Sequence, residues 1–179
     1  GTYSLSRKVD TLFVKLYERS DFRLQDSQLV ILRYEYKRGG LASRKNITQQ
    51  FQWDKNNLQI TENEKTRDVA IKPPLYDKLS YIEAMRLQLL TAKELPKALS
   101  VPFADRHHLK QYDFAVAGHE ELSIMNGKMD TVRLERHDTE DNRHTQIWVA
   151  PALDYALVKL QQTDEDGQYQ LQLKTYEKK

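Results

Sequence analysis

The sequence predicts a mainly β fold, a largely antiparallel meander with one internal helix, on three observations. Apolar and polar residues alternate with period two along most of the chain. Dipeptides suited to tight turns separate the alternating runs, and a single stretch breaks the pattern with helical spacing. The 179 residues fit one domain, 1–179, which can bury a core without disulfides.

In chain order, the clearest early strand sets Val30, Leu32, Tyr34 and Tyr36 against Ile31, Arg33, Glu35 and Lys37. One face is then apolar and the other mostly charged, as in a half-buried antiparallel sheet. Gly39-Gly40 and Asn56-Asn57 follow as turn signals, because two-residue hairpins need positive φ. From Asp77 to Ala92, Leu79, Ile82, Met85 and Leu89 recur at helical spacing between Pro73-Pro74 and Pro96, which predicts a helix over 77–92. Asp77 is placed to cap its first amides. Residues 97–108, with Pro102, read as an irregular connector.

Alternation returns at Tyr112, Phe114 and Val116, at Val132 and Leu134, at Val158 and Leu160, and at Tyr169, Leu171 and Leu173. Asn126-Gly127, between Leu122-Ser123-Ile124 and Met129-Asp130-Thr131-Val132, is the strongest hairpin signal; Asp141-Asn142 and Asp166-Gly167 are two more. Ten or more strands are expected.

Composition narrows the function classes. A net charge of +2 argues against a surface built to neutralise phosphates, so no nucleic-acid partner is expected. The first fifty residues carry ten Lys or Arg against five Asp or Glu, with Lys37, Arg38, Arg44 and Lys45 gathered around a turn, and this reads as a solvated hairpin tip, with a basic docking patch for an anionic partner as the alternative. With no cysteine, thiol redox chemistry and Cys-based zinc sites are excluded. No apolar run approaches the ~20 residues of a membrane-spanning helix. The chain opens at Gly1-Thr2-Tyr3 without an initiator Met, as a removed signal would leave it.

No phosphate loop, nucleophile elbow or zinc-protease pair occurs, and no cofactor is implied. His137 and His144 flank the turn from Asp138 to Arg143 and could share a metal with Asp138, Glu140 or Asp141; they are the only metal candidates, while His107-His108 point to opposite sides of a strand. Asp164-Glu165-Asp166-Gly167 lacks the ligand spacing of a calcium loop and reads as a turn. Ten tyrosines, with Trp53 and Trp148, serve core packing or line a groove for an apolar ligand.

Three stretches carry a family likeness. They are Asp77-Lys78-Leu79-Ser80 continuing to Arg86-Leu87, then Phe114 to Glu121 through Gly118-His119-Glu120, and finally Ile147-Trp148-Val149-Ala150-Pro151 with Leu157-Val158-Lys159-Leu160. Ser20-Asp21-Phe22, leading to Leu32-Arg33-Tyr34-Glu35-Tyr36, adds a fourth, with Leu32 where a Pro is expected. The chain resembles the domain of unknown function 3108 family of bacterial exported proteins. The resemblance implies a strongly curved antiparallel sheet or open barrel crossed by the helix, a periplasmic or envelope location, and further N-terminal strands before this point. It implies no activity. Asp77, Arg86 and Trp148 would hold the helix on the sheet, through an Asp77 to Arg86 contact and an indole lying on the helix beside Arg86.

The expected function is therefore a non-catalytic envelope protein with a lipid or other apolar ligand, or a protein partner, in the concave face of its sheet. Tyr34, Tyr36, Trp53, Tyr81, Arg86 and Trp148 are the candidate ligand-binding residues. An assembly module using exposed sheet edges is the alternative, and a metal-dependent hydrolase around His137 and His144 the second. Oligomeric state is left open.

Overall fold

The computed structural model describes all residues except 11–13, 41–44, 106–107, 139–141, 166 and 178–179. Six strands, β1 (Thr2–Asp10), β2 (Val14–Gln25), β3 (Gln28–Gly40), β4 (Lys45–Gln52), β5 (Asn57–Glu62) and β6 (Lys65–Ala70), pair in sequence order as an antiparallel meander. A second sheet holds β7 (Tyr76–Asp77), β8 (Ala98–Ala104), β9 (Leu109–Ile124), β10 (Gly127–Asp138), β11 (Arg143–Ala150), β12 (Ala156–Asp164) and β13 (Gly167–Gln172), again in sequence order. Helix α1 (Tyr81–Thr91) connects β7 to β8, and that pair alone runs parallel, as a helical crossover requires. The chain is thus mainly β with one helix, in two sheets rather than one. It divides into two compact units, residues 1–84 with 101–111 and residues 85–100 with 112–179.

Turn chemistry sets the register. Asp26-Ser27, Asn63-Glu64 and Met125-Asn126 each bridge two strands with positive φ at both central residues, the geometry that suits right-twisted hairpins. Around Asn126-Gly127 the sequence located the hairpin, but its central pair is Met125-Asn126, and Gly127 opens β10 opposite Ile124. The turns expected at Gly39-Gly40, Asp141-Asn142 and Asp166-Gly167 run into residues 41–44, 139–141 and 166, outside the described residues.

A bulge corrects the reading of β3. Asp21 pairs with Arg33 but Phe22 with Ile31, so Leu32 is the extra residue and the inward face changes there. Leu29 and Ile31 are buried, Val30 and Leu32 only half-buried, and Tyr34 is buried beyond the bulge. A one-residue slip flips every side chain, and strict alternation cannot show it.

The helix is shorter than predicted. Asp77 lies in β7, and Ser80 starts the helix by accepting the Ala84 amide at 3.0 Å. Met85 and Leu89 are its fully buried apolar residues from the predicted stripe. The connector expected over 97–108 is instead mostly strand: in β8, Leu99, Val101 and Phe103 alternate inward, and Pro102 hid that pattern.

In the second unit, Gly118 sits at the β9–β10 bulge with φ of +102°, a conformation L side chains rarely adopt. Gly118→Ala is therefore expected to cost about 1 to 3 kcal/mol in a denaturant titration. Gly39→Ala, outside the positive-φ region with open space around a new Cβ, should cost under about 1 kcal/mol. Equal losses at the two positions would remove the bulge from this account.

Candidate functional site

On the inward face of the first sheet the register places Ser20, Tyr34, Gln49 and Ile60 in one cross-strand row, all buried. Glu18, two residues before Ser20, faces the same way and is also buried. Polar groups so deep must be hydrogen-bonded, and each of these residues makes at least one such bond. Tyr34 donates its hydroxyl to Glu18 at 2.7 Å, and Arg7 donates Nε to the other carboxylate oxygen at 2.6 Å. Burial pushes the Tyr34 phenol well above its ordinary range, and the Glu18 charge adds to the shift, so it stays a neutral donor.

Asp77, with no exposed surface, closes the cluster. One of its oxygens accepts the amides of Leu79 and Ser80, both at 2.8 Å, and the other accepts the Ser20 hydroxyl at 2.5 Å. In return the Ser80 hydroxyl accepts the Asp77 amide at 3.1 Å. The two side chains satisfy the turn into α1 reciprocally, in the manner of a capping box. Neutral donors hold the carboxylate, and no cation is among its partners within the described residues, in place of the expected arginine. Burial raises its pKa above the ordinary 3.8, opposed by those hydrogen bonds.

Chemically this cluster is a structural device. Ser20, Ser80 and Asp77 have no exposed surface, so a substrate cannot reach their hydroxyls or carboxylate. Gln49 extends the row, donating Nε2 to the Asp105 carbonyl at 3.2 Å, while its Oε1 has no partner among the described residues. Sequence reading passed over Glu18 and Gln49, and met Ser20 only within a family-like stretch, without the role the structure gives it. The available signal was a polar residue at an inward position, as in Leu16-x-Glu18-x-Ser20-x-Phe22.

The same unit carries an open groove of about 610 Å³, within the size range of ligand clefts. Residues 70–75, Pro102 and residues 109–111 line it. Ile71 and Leu75 are buried beneath it, and Leu109 is 46% exposed at its wall. Lys72, Lys110 and Gln111 are its polar side chains.

None of the six predicted ligand-binding residues lines this groove. Tyr34 is locked in the buried cluster and Tyr36 is half-buried on the same strand. Trp53 donates Nε1 to the Ile31 carbonyl at 2.6 Å and stacks on Phe51, and Tyr81 opens α1 with its ring 6.0 Å from that of Phe103.

Arg86 and Trp148 belong to the second unit. Arg86 donates Nε to the Asp154 carbonyl at 2.7 Å, tying α1 to the left-handed turn between β11 and β12. Ile147, Trp148 and Val149 are all buried, so both faces of β11 are covered there. Trp148 packs with Ile124, Ala150 and Val158. Its indole donates to Glu120 at 3.1 Å, and Lys159, not Arg86, stands 4.3 Å over the ring. These are core contacts made by strands.

His137 and His144 do face each other, as cross-strand partners with ring centroids 6.0 Å apart. Among the described residues no group of three His, Asp or Glu side chains could hold a metal. Glu140, Asp141 and His107 lie outside them. Among the described residues no helix is long and apolar enough to cross a membrane.

A family model described as "Protein of unknown function (DUF3108)" matches residues 3–174. No curated protein and no solved structure matches the chain.

Because Asp77 binds its proton more readily when folded than unfolded, it lowers stability as pH rises from about 3.8 through the raised folded value. Asp77→Asn lacks that titration. The stability of wild type relative to Asp77→Asn should fall across this window in denaturant titrations, and a rising difference would reverse the assigned direction. Asp77→Ala, which also strands two amides and a hydroxyl, should cost about 2 to 4 kcal/mol above that window, where the carboxylate is ionised in both states.

Proposed function

The chain belongs to the DUF3108 family, and with that as premise we propose that it is a non-catalytic cell-envelope protein that binds an apolar ligand. The groove at residues 70–75 carries the reading: it is concave, mostly apolar and of ligand size, with three polar side chains at hand to orient an occupant.

The chemistry of its lining supports the absence of catalysis. Among the described residues no carboxylate, imidazole or hydroxyl side chain lines the groove, which leaves Lys72 and Lys110 as the groups there able to take or give a proton. The buried Asp77, Ser20 and Ser80 of the same unit are engaged in holding the turn into α1. The envelope location rests on the export implied by the family likeness, and fractionation of the native host tests it.

Filling the groove tests the binding. Ala70 lines it and is exposed, so Ala70→Trp places a bulky ring in the groove without entering the core. The neutral dye N-phenyl-1-naphthylamine should bind wild type with enhanced fluorescence and bind Ala70→Trp about tenfold more weakly, at an unchanged melting temperature. Undiminished dye binding by Ala70→Trp would place the apolar site elsewhere.

A further inference from the structure

We propose that the ligand of this groove is an anionic amphiphile, one acyl chain ending in a carboxylate or phosphate, whose head is held by Lys110 and Lys72. The inference rests on the reading of the groove as an apolar ligand site.

Its first support is a charge that the fold leaves uncompensated. Lys72 is exposed two residues beyond the end of β6, whereas Lys110 is half-buried in β9 between Leu109 and Gln111. Both line the groove, and among the described residues no acidic side chain does. Among the described residues neither lysine has an ion-pair partner. The acidic residues near them in sequence are engaged elsewhere: Asp68 accepts the Asn57 side-chain amide at 2.8 Å, Asp105 pairs with Lys78 at 3.1 Å, and Asp113 in β9 accepts the Ser100 hydroxyl at 2.5 Å. Among the described residues the groove therefore presents two ammonium groups and no counter-charge.

An ammonium kept beside apolar surface gains most from an anion brought in by the ligand, since the local dielectric is lower than that of water. Two lysines act as point charges on flexible stems. They suit a compact terminal head, and they set none of the fork geometry that arginine would impose. The apolar remainder, including Ile71, Leu75, Pro102 and Leu109, suits a hydrocarbon chain. An uncharged apolar ligand would leave both ammonium groups partly desolvated without a partner, which disfavours it against the anion.

Competition against N-phenyl-1-naphthylamine separates the possibilities. Dodecanoate, dodecyl phosphate and dodecanol, each below its aggregation concentration, share one chain and differ in head. Both anions are expected to displace the dye at about tenfold lower concentration than dodecanol. The double variant Lys72→Gln, Lys110→Gln should bring the anions to the level of dodecanol and leave dodecanol itself unchanged, which also reports an intact groove. Preference between dodecanoate and dodecyl phosphate decides whether a fatty acid or a phosphate-headed lipid is the better match. Equal displacement by all three in wild type, or an anion preference that survives the double variant, overturns the assignment of the head while the groove reading stands. Failure of the dye to bind wild type overturns both.

Discussion

A carboxylate with no exposed surface must have its lone pairs met by donors, and in the first unit Asp77 is that carboxylate. Its partners come from two places in the chain: Ser20 in β2, and the Leu79 and Ser80 amides at the start of α1. The contact joins residues 57 positions apart and fixes where the helix can begin. Residues 71–75 run directly into β7, so the same contact fixes one end of the segment that walls the groove. The other end is held by the Ile71 amide, which donates to the Asn56 carbonyl at 2.9 Å. A wall pinned at both ends is already organised for a ligand, which limits the entropy lost on binding.

Glu18, Tyr34 and Arg7 surround this anchor with a second charged group and its donors. A network of this kind strengthens its members when every one is satisfied and weakens the core when one is missing. Its position on an inward sheet face, where Ile31 or Ile60 would be the ordinary occupants, fits a role in specifying one arrangement of the β7 turn. The second unit solves its packing differently. There β11 is buried on both faces, and Trp148 meets its polar need through Glu120 and Lys159 at the edge of an otherwise aliphatic cluster.

Much of the fold was legible because antiparallel strands with one buried face write their pattern every second residue. Tyr112 to Val116, Val132 to Leu134 and Val158 to Leu160 all fall in strands. What escaped had local physical causes. The bulge at Leu32 reversed the inward face of β3, and Pro102 masked the alternation of β8. Asp77 could be read as a cap but not as a residue of β7, since only tertiary pairing defines so short a strand. The groove was not legible at all. It is assembled from a loop, one proline of β8 and the first residues of β9, none of which carries a motif, whereas of the conspicuous aromatics that were expected to bind, Tyr34 and Trp148 went into the core and Tyr36, Trp53 and Tyr81 are half-buried away from the groove.

The central claim is that the Asp77 carboxylate holds the groove wall as well as the helix start. Amide hydrogen exchange in Asp77→Ala, followed residue by residue by NMR, tests it most directly. The account predicts that the Leu79, Ser80 and Ile71 amides all exchange about tenfold faster or more than in wild type, while the Leu173 amide, bonded to the Val158 carbonyl, keeps its rate. Acceleration at Leu79 and Ser80 with Ile71 unchanged would contradict it, because the carboxylate would then cap the helix without holding the wall.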